Sequence, residues 1–129
     1  MYRVLVVDDE IAVGLFLQED LYSSGYDVEI AVSAGEALAK IESNPPDLVL
    51  LDIRMPGTSG VELLATLQLR EINVPVIMLT AVHEEELARQ CLKMGARDYI
   101  TKPINLHYLK DSILASIFTG GGLDEEPPA

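Results

Sequence analysis

A chain of 129 residues, 49% of them hydrophobic, is long enough to bury one core and too apolar to be disordered. Its 21 acidic and 9 basic residues give a net charge of −12, which repels nucleic-acid phosphates and anionic lipid and excludes both as expected partners of this domain. Apolar runs such as VPVIML are too short to span a bilayer, MYRVLVVDDE lacks the apolar length of a signal peptide, and a lone Cys91 forms no internal disulfide and suits a reducing cytoplasm.

Short β-branched runs alternate with helical patterns, the signature of a parallel sheet covered by helices. RVLVV (3–7) predicts the first strand, which stops at Asp8-Asp9-Glu10. Val13, Phe16, Leu17 and Leu21 then recur at helical spacing as far as Gly25, a helix stop. Gly14 weakens that helix, and nothing in the sequence accounts for it. DVEIA (27–31) predicts the second strand, followed by a capping box, Ser33 with Glu36, and a helix marked by Ala34, Leu38 and Ile41. Asn44-Pro45-Pro46 is a loop. DLVLL (47–51) predicts the third strand, leading into Asp52 and a turn at Pro56-Gly57. A second capping box, Ser59 with Glu62, opens a helix carrying Val61, Leu64 and Leu67. VIMLT (76–80) is the fourth strand and ends on Thr80. Glu84, Glu85 and Glu86 read as the solvated start of a fourth helix with Leu87, Cys91 and Met94 on its apolar side and Gly95 as its stop. Cys91 there reads as a small core residue. DYIT (98–101) is the fifth strand, followed by Lys102-Pro103 and a helix through Leu106, Leu109, Ile113 and Ile117. His83 and His107 have no second ligand at metal spacing, so neither is assigned a zinc or phosphohistidine role. From Gly120, GGGLDEEPPA has no periodicity; it reads equally as a frayed terminus or the start of a linker, leaving residues 1–119 as the domain.

A strand that finishes on a carboxylate, as the third does at Asp52, needs a partner for the charge. In open parallel sheets, sites form at the carboxyl ends of strands where the strand order reverses. The flavodoxin-like order 2-1-3-4-5, in a (βα)5 three-layer α/β sandwich, brings the ends of strands 1, 3, 4 and 5 together. Asp8, Asp9, Glu10, Asp52, Thr80, Thr101, Lys102 and Pro103 then share one crevice. Two carboxylates about 4 Å apart repel by roughly 4 kcal/mol at an effective dielectric of about 20. Such a set must take up protons or hold a cation. Oxygen donors with open water positions favour Mg²⁺ over a Ca²⁺ cage. With the metal on one side and Lys102 on the other, Asp52 has the setting of a nucleophile toward a phosphoryl group.

In order and spacing, VLVVDDE, LVLLDIRMPGTSG, VIMLTA and GARDYITKPI resemble the receiver domains of two-component response regulators, over residues 1 to about 118. The resemblance implies that Asp52 accepts a phosphoryl group from a histidine kinase or phosphotransfer protein. It implies that Asp9, Asp52 and the Arg54 backbone carbonyl bind Mg²⁺ (or Mn²⁺) directly, with Asp8 acting through water. Thr80, Ala81 and Lys102 match the positions that hold the phosphoryl oxygens, Pro103 matches a cis peptide bond, and Tyr99 the aromatic that changes rotamer. A partner or a second copy of the domain is expected to dock on the face of helix 4, strand 5 and helix 5, around Met94, Tyr99 and Leu106. Slow self-hydrolysis, not enzymatic turnover, is implied. A haloacid-dehalogenase-type phosphatase fits worse, because its motif needs a second Asp where Arg54 stands, and no cap domain accompanies it. A pseudo-receiver would have lost an acid, the acceptor or the lysine, and none is missing.

Overall fold

Residues buried on both sides of every inner strand require helices on both faces of the sheet. The computed structural model describes residues 1–118, so the predicted tail at 120–129 lies outside the described residues. Strands β1 (Arg3–Val7), β2 (Asp27–Ala31), β3 (Leu48–Asp52), β4 (Val76–Thr80) and β5 (Asp98–Thr101) form one parallel sheet in the order β2-β1-β3-β4-β5. Helices α1 (Ile11–Ser23), α2 (Ala34–Ser43), α3 (Gly60–Leu69), α4 (Glu85–Lys93) and α5 (Leu106–Phe118) follow the strands in turn. This is the flavodoxin-like three-layer sandwich expected from the sequence.

Alternation along the strands divides the core in two. Val4, Val6, Leu48, Leu50, Ile77, Leu79 and Ile100 face α1 and α5, meeting Leu17, Leu21, Leu109 and Ile113. Leu5, Val7, Val49, Leu51, Val76 and Met78 face the other way, toward Ile41 of α2, Leu63, Leu64 and Leu67 of α3, and Ala88 and Cys91 of α4. Burial raises the Cys91 thiol pKa above its ordinary value, so this cysteine is an inert core residue. Among the described residues, no helix is long and apolar enough to cross a membrane.

Four local features go beyond the sequence-based expectation. β3 runs from Leu48 to Asp52, one residue later than the predicted 47–51. Asp52 is in register with Leu79, whose carbonyl accepts the Ile53 N–H at 3.0 Å, while the Asp47 carboxylate accepts the Arg3 N–H at 2.8 Å beside the sheet. The Ser59–Glu62 capping box is reciprocal, but Glu36 turns its carboxylate to the Val32 N–H at 2.9 Å and leaves Ser33 capping alone. A short 3₁₀ turn, Val82–Glu84, precedes α4. Gly14 lets α1 lie close on β2, since a Cβ there would stand 2.8 Å from Ile30 Cγ2. Gly25 (φ +95°) and Gly95 (φ +112°) end α1 and α4 in the left-handed region that glycine adopts freely.

Candidate functional site

The end of β1 holds two acids in different surroundings. The Asp8 N–H still reaches the Ala31 carbonyl at 3.1 Å, which keeps Asp8 on the sheet and buried, whereas Asp9 turns out to solvent. Asp8 Oδ1 accepts the Glu10 N–H at 2.9 Å and turns the chain into α1. Asp52 closes β3 and is only 7% exposed. One carboxylate oxygen from each of Asp8, Asp9 and Asp52 lies within 4.8 Å of the others. Glu10 is exposed and outside this cluster.

Lys102 supplies the counter-charge. Its N–H donates to the Thr80 carbonyl at 2.7 Å, which docks the segment after β5 against the end of β4, and its peptide bond to Pro103 is cis. Its Nζ stands 3.1 Å from Asp8 Oδ2 and 3.4 Å from Asp52 Oδ1, so it bridges both acids and lies nearer to Asp8. Burial works to lower the Lys102 pKa, but the Asp52 and Asp8 carboxylates outweigh it and hold the ammonium above its ordinary range. Asp52 is pushed up to about 6, first by burial and then by the Asp8 charge, with Lys102 opposing and Asp9 adding a smaller push. One ammonium does not neutralise three acids. The donor set is all oxygen and open to solvent at Asp9, which fits a hard divalent cation that keeps part of its water shell.

The other predicted residues gather at the same end of the sheet. Thr80 is fully buried, and its hydroxyl donates to the Ala81 carbonyl at 3.2 Å and not toward Asp52. The Ala81 N–H donates to Glu84 Oε1 at 3.2 Å. Tyr99 is half-buried against the core on the α2, α3 and α4 side of the sheet, in register with Met78, two residues before Thr80. Arg54 is exposed, and its Nε donates to Glu84 Oε2. Pro103 is exposed.

Glu84 is the residue that the sequence reading missed. In place of a solvated helix start it is buried and joined to two loops, whereas Glu86 and His83 are exposed as expected. The available signal was the three-residue spacing of a capping pair from position 81 to 84. It was hidden because Ala81 has no capping side chain.

The response regulator receiver domain family matches residues 4–114. The phosphate regulon transcriptional regulatory protein PhoB of Pseudomonas aeruginosa is 40% identical over 127 residues, covering 97% of this chain and 56% of that protein. The alkaline phosphatase synthesis transcriptional regulatory protein PhoP of Bacillus subtilis is 43% identical over 103 residues, covering 80% of this chain and 43% of that protein. Sporulation initiation phosphotransferase F of Bacillus subtilis is 31% identical over 111 residues, covering 86% of this chain and 90% of its own length. The chain thus spans about half the length of the two transcriptional regulators and most of the phosphotransferase. A CheY-like receiver domain from Methanospirillum hungatei superposes with a TM-score of 0.83 at 39% identity, covering 92% of this chain and 94% of that one. A Francisella response regulator receiver domain gives 0.86 at 33% identity, covering 92% and 98%. Matched across nearly all of its sheet and helices, the chain belongs to the response regulator receiver domain family.

Proposed function

We propose that Asp52 is the phosphoacceptor, charged by the phosphohistidine of a sensor histidine kinase or phosphotransfer protein. The observation that carries this reading is a carboxylate buried at a strand end between two further acids and one ammonium. An Asp52 oxygen attacks the phosphorus, forming an O–P bond as the P–N bond of the phosphoimidazole breaks and the imidazole leaves. Lys102 offsets the charge of the arriving phosphoryl oxygens, and Asp8, at 3.1 Å, positions its ammonium. Asp9, Asp52 and the Arg54 backbone carbonyl would hold Mg²⁺ or Mn²⁺ directly, with Asp8 acting through water. When bound, the ion neutralises the carboxylates and the phosphoryl charge.

The Thr80 hydroxyl and the Ala81 N–H then serve the phosphoryl oxygens, and Tyr99 turns inward as Thr80 moves. The altered surface is α4–β5–α5, around Met94, Tyr99 and Leu106, where a second copy or another partner docks. The acyl phosphate hydrolyses slowly without turnover of a substrate. In this reading the switch is cytoplasmic, residues 1–119 form the domain, and 120–129 are its tail or the start of a linker.

Incubation with Mg²⁺ and a small acyl phosphate is expected to label Asp52, located by mass spectrometry, and Asp52→Asn to abolish the label. Label on another residue, or unchanged labelling of Asp52→Asn, overturns the assignment. Mg²⁺ is also expected to stabilise the fold, by about 2.7 kcal/mol at about 100 times its Kd. Asp9→Ala is expected to remove most of that gain in thermal unfolding; an equal Mg²⁺ response in the two proteins would contradict the metal assignment.

A further inference from the structure

Both donors assigned to the phosphoryl oxygens are already committed within one turn. The buried Thr80 hydroxyl bonds the Ala81 carbonyl, and the Ala81 N–H bonds Glu84 Oε1, each at 3.2 Å. The Glu84 N–H returns to the Ala81 carbonyl at 3.0 Å, closing the turn. Glu84 is 6% exposed, and a buried carboxylate is costly unless paired. Its second oxygen takes Arg54 Nε, from a side chain that is 69% exposed and stands two residues beyond Asp52. The pair therefore ties the loop after Asp52 to the turn after Thr80. α4 begins at the next residue, Glu85, so its first turn is held by the same contact.

We propose that Glu84 is a positioning residue that holds the switch closed: its carboxylate, braced by Arg54, occupies the Ala81 N–H until a phosphoryl group on Asp52 takes that donor over. The proposal rests on Asp52 being the acceptor. A phosphoryl group is a multiply charged acceptor and competes for the same amide. Once displaced, Glu84 is repelled by the new charge and releases the turn that leads into α4. Apparent affinity for a phosphoryl group scales with the fraction of molecules in which the turn is open. Loosening the latch therefore strengthens binding.

The test titrates wild type, Glu84→Gln and Glu84→Ala with beryllofluoride in Mg²⁺, following the Ala81 amide by NMR. Glu84→Ala is expected to bind roughly tenfold tighter, the lower end of what a hydrogen bond to a charged acceptor is worth. Glu84→Gln keeps an oxygen for the amide and loses the ion pair, so a smaller gain is expected. It also preserves the side-chain shape, which keeps the test open if Glu84→Ala does not fold. In the free variants the Ala81 amide is expected to move toward its beryllofluoride-bound position, while affinity for Mg²⁺ alone is expected to fall or stay level and not to rise, because Glu84 lies outside the acidic cluster and braces the loop of Arg54. Unchanged or weaker beryllofluoride binding in the folded variants overturns the latch. A wild type that does not bind beryllofluoride at Asp52 overturns the acceptor reading and the latch with it.

Discussion

Gly60→Ala is expected to destabilise the domain by about 3 kcal/mol or more, a large effect for one added methyl group. Gly60 opens α3, and its N–H donates to the Ile53 carbonyl at 2.9 Å, which draws the helix start down onto the end of β3. A Cβ would overlap the Asp52 carbonyl oxygen and lie 3.0 Å from its carbon and 3.1 Å from Ile53 Cα. These are backbone atoms and cannot rotate away, unlike the Ile30 side chain that faces Gly14. Relief requires shifting either α3 or Asp52 itself, so phosphorylation is expected to slow as well. Gly35→Ala in α2 is the control, because nothing lies within 4 Å of its Cβ position. There, helix propensity favours alanine by up to about 1 kcal/mol. Calorimetry is expected to show a Tm fall of about 10 °C for Gly60→Ala. Similar small effects of the two substitutions would show that the α3 start relaxes freely.

Asp52→Asn is expected to stabilise the metal-free domain at pH 7.5 and to have little effect below about pH 4. Burial and Asp8 push the Asp52 carboxyl from 3.8 up to about 6, so the folded state holds its proton more tightly than the unfolded chain does. Stability is therefore lost as pH rises from about 4 to about 6, and the loss is complete above that window. Asparagine does not ionise and escapes it. The gain is up to about 3 kcal/mol, the free energy separating a carboxyl that titrates at about 6 from one at 3.8. Lys102, held above its ordinary range, contributes in the opposite sense, but its contribution is lost only at strongly alkaline pH. Chemical denaturation with chelator at pH 4 and pH 7.5 measures the difference, and saturating Mg²⁺ is expected to narrow it. If Asp52→Asn is the less stable protein at pH 7.5, the Lys102 pairing outweighs the burial of Asp52.

Element type and sheet order were legible because they depend on short-range period and on which strand ends carry polar residues. Short apolar, β-branched runs marked five strands, helical spacing marked five helices, and Asp8, Asp9, Asp52, Thr80 and Lys102 each stood where a strand ran out. The flavodoxin-like order β2-β1-β3-β4-β5 brings those ends together where the strand order reverses, so a one-dimensional pattern read on that order was enough to locate the cluster. Only the tertiary structure decided how the donors are spent. The end of β3 at Asp52 depended on its register with Leu79, and the need for Gly14 on the closeness of Ile30. Lys102 lies nearer to Asp8 than to Asp52, and the Thr80 hydroxyl is turned onto Ala81. Glu84 looks like one more solvated acid until Arg54, 30 residues away in sequence, is folded against it. Periodicity reports which face a residue occupies, but the partner of a buried charge is chosen by loops that meet only after the sheet has formed.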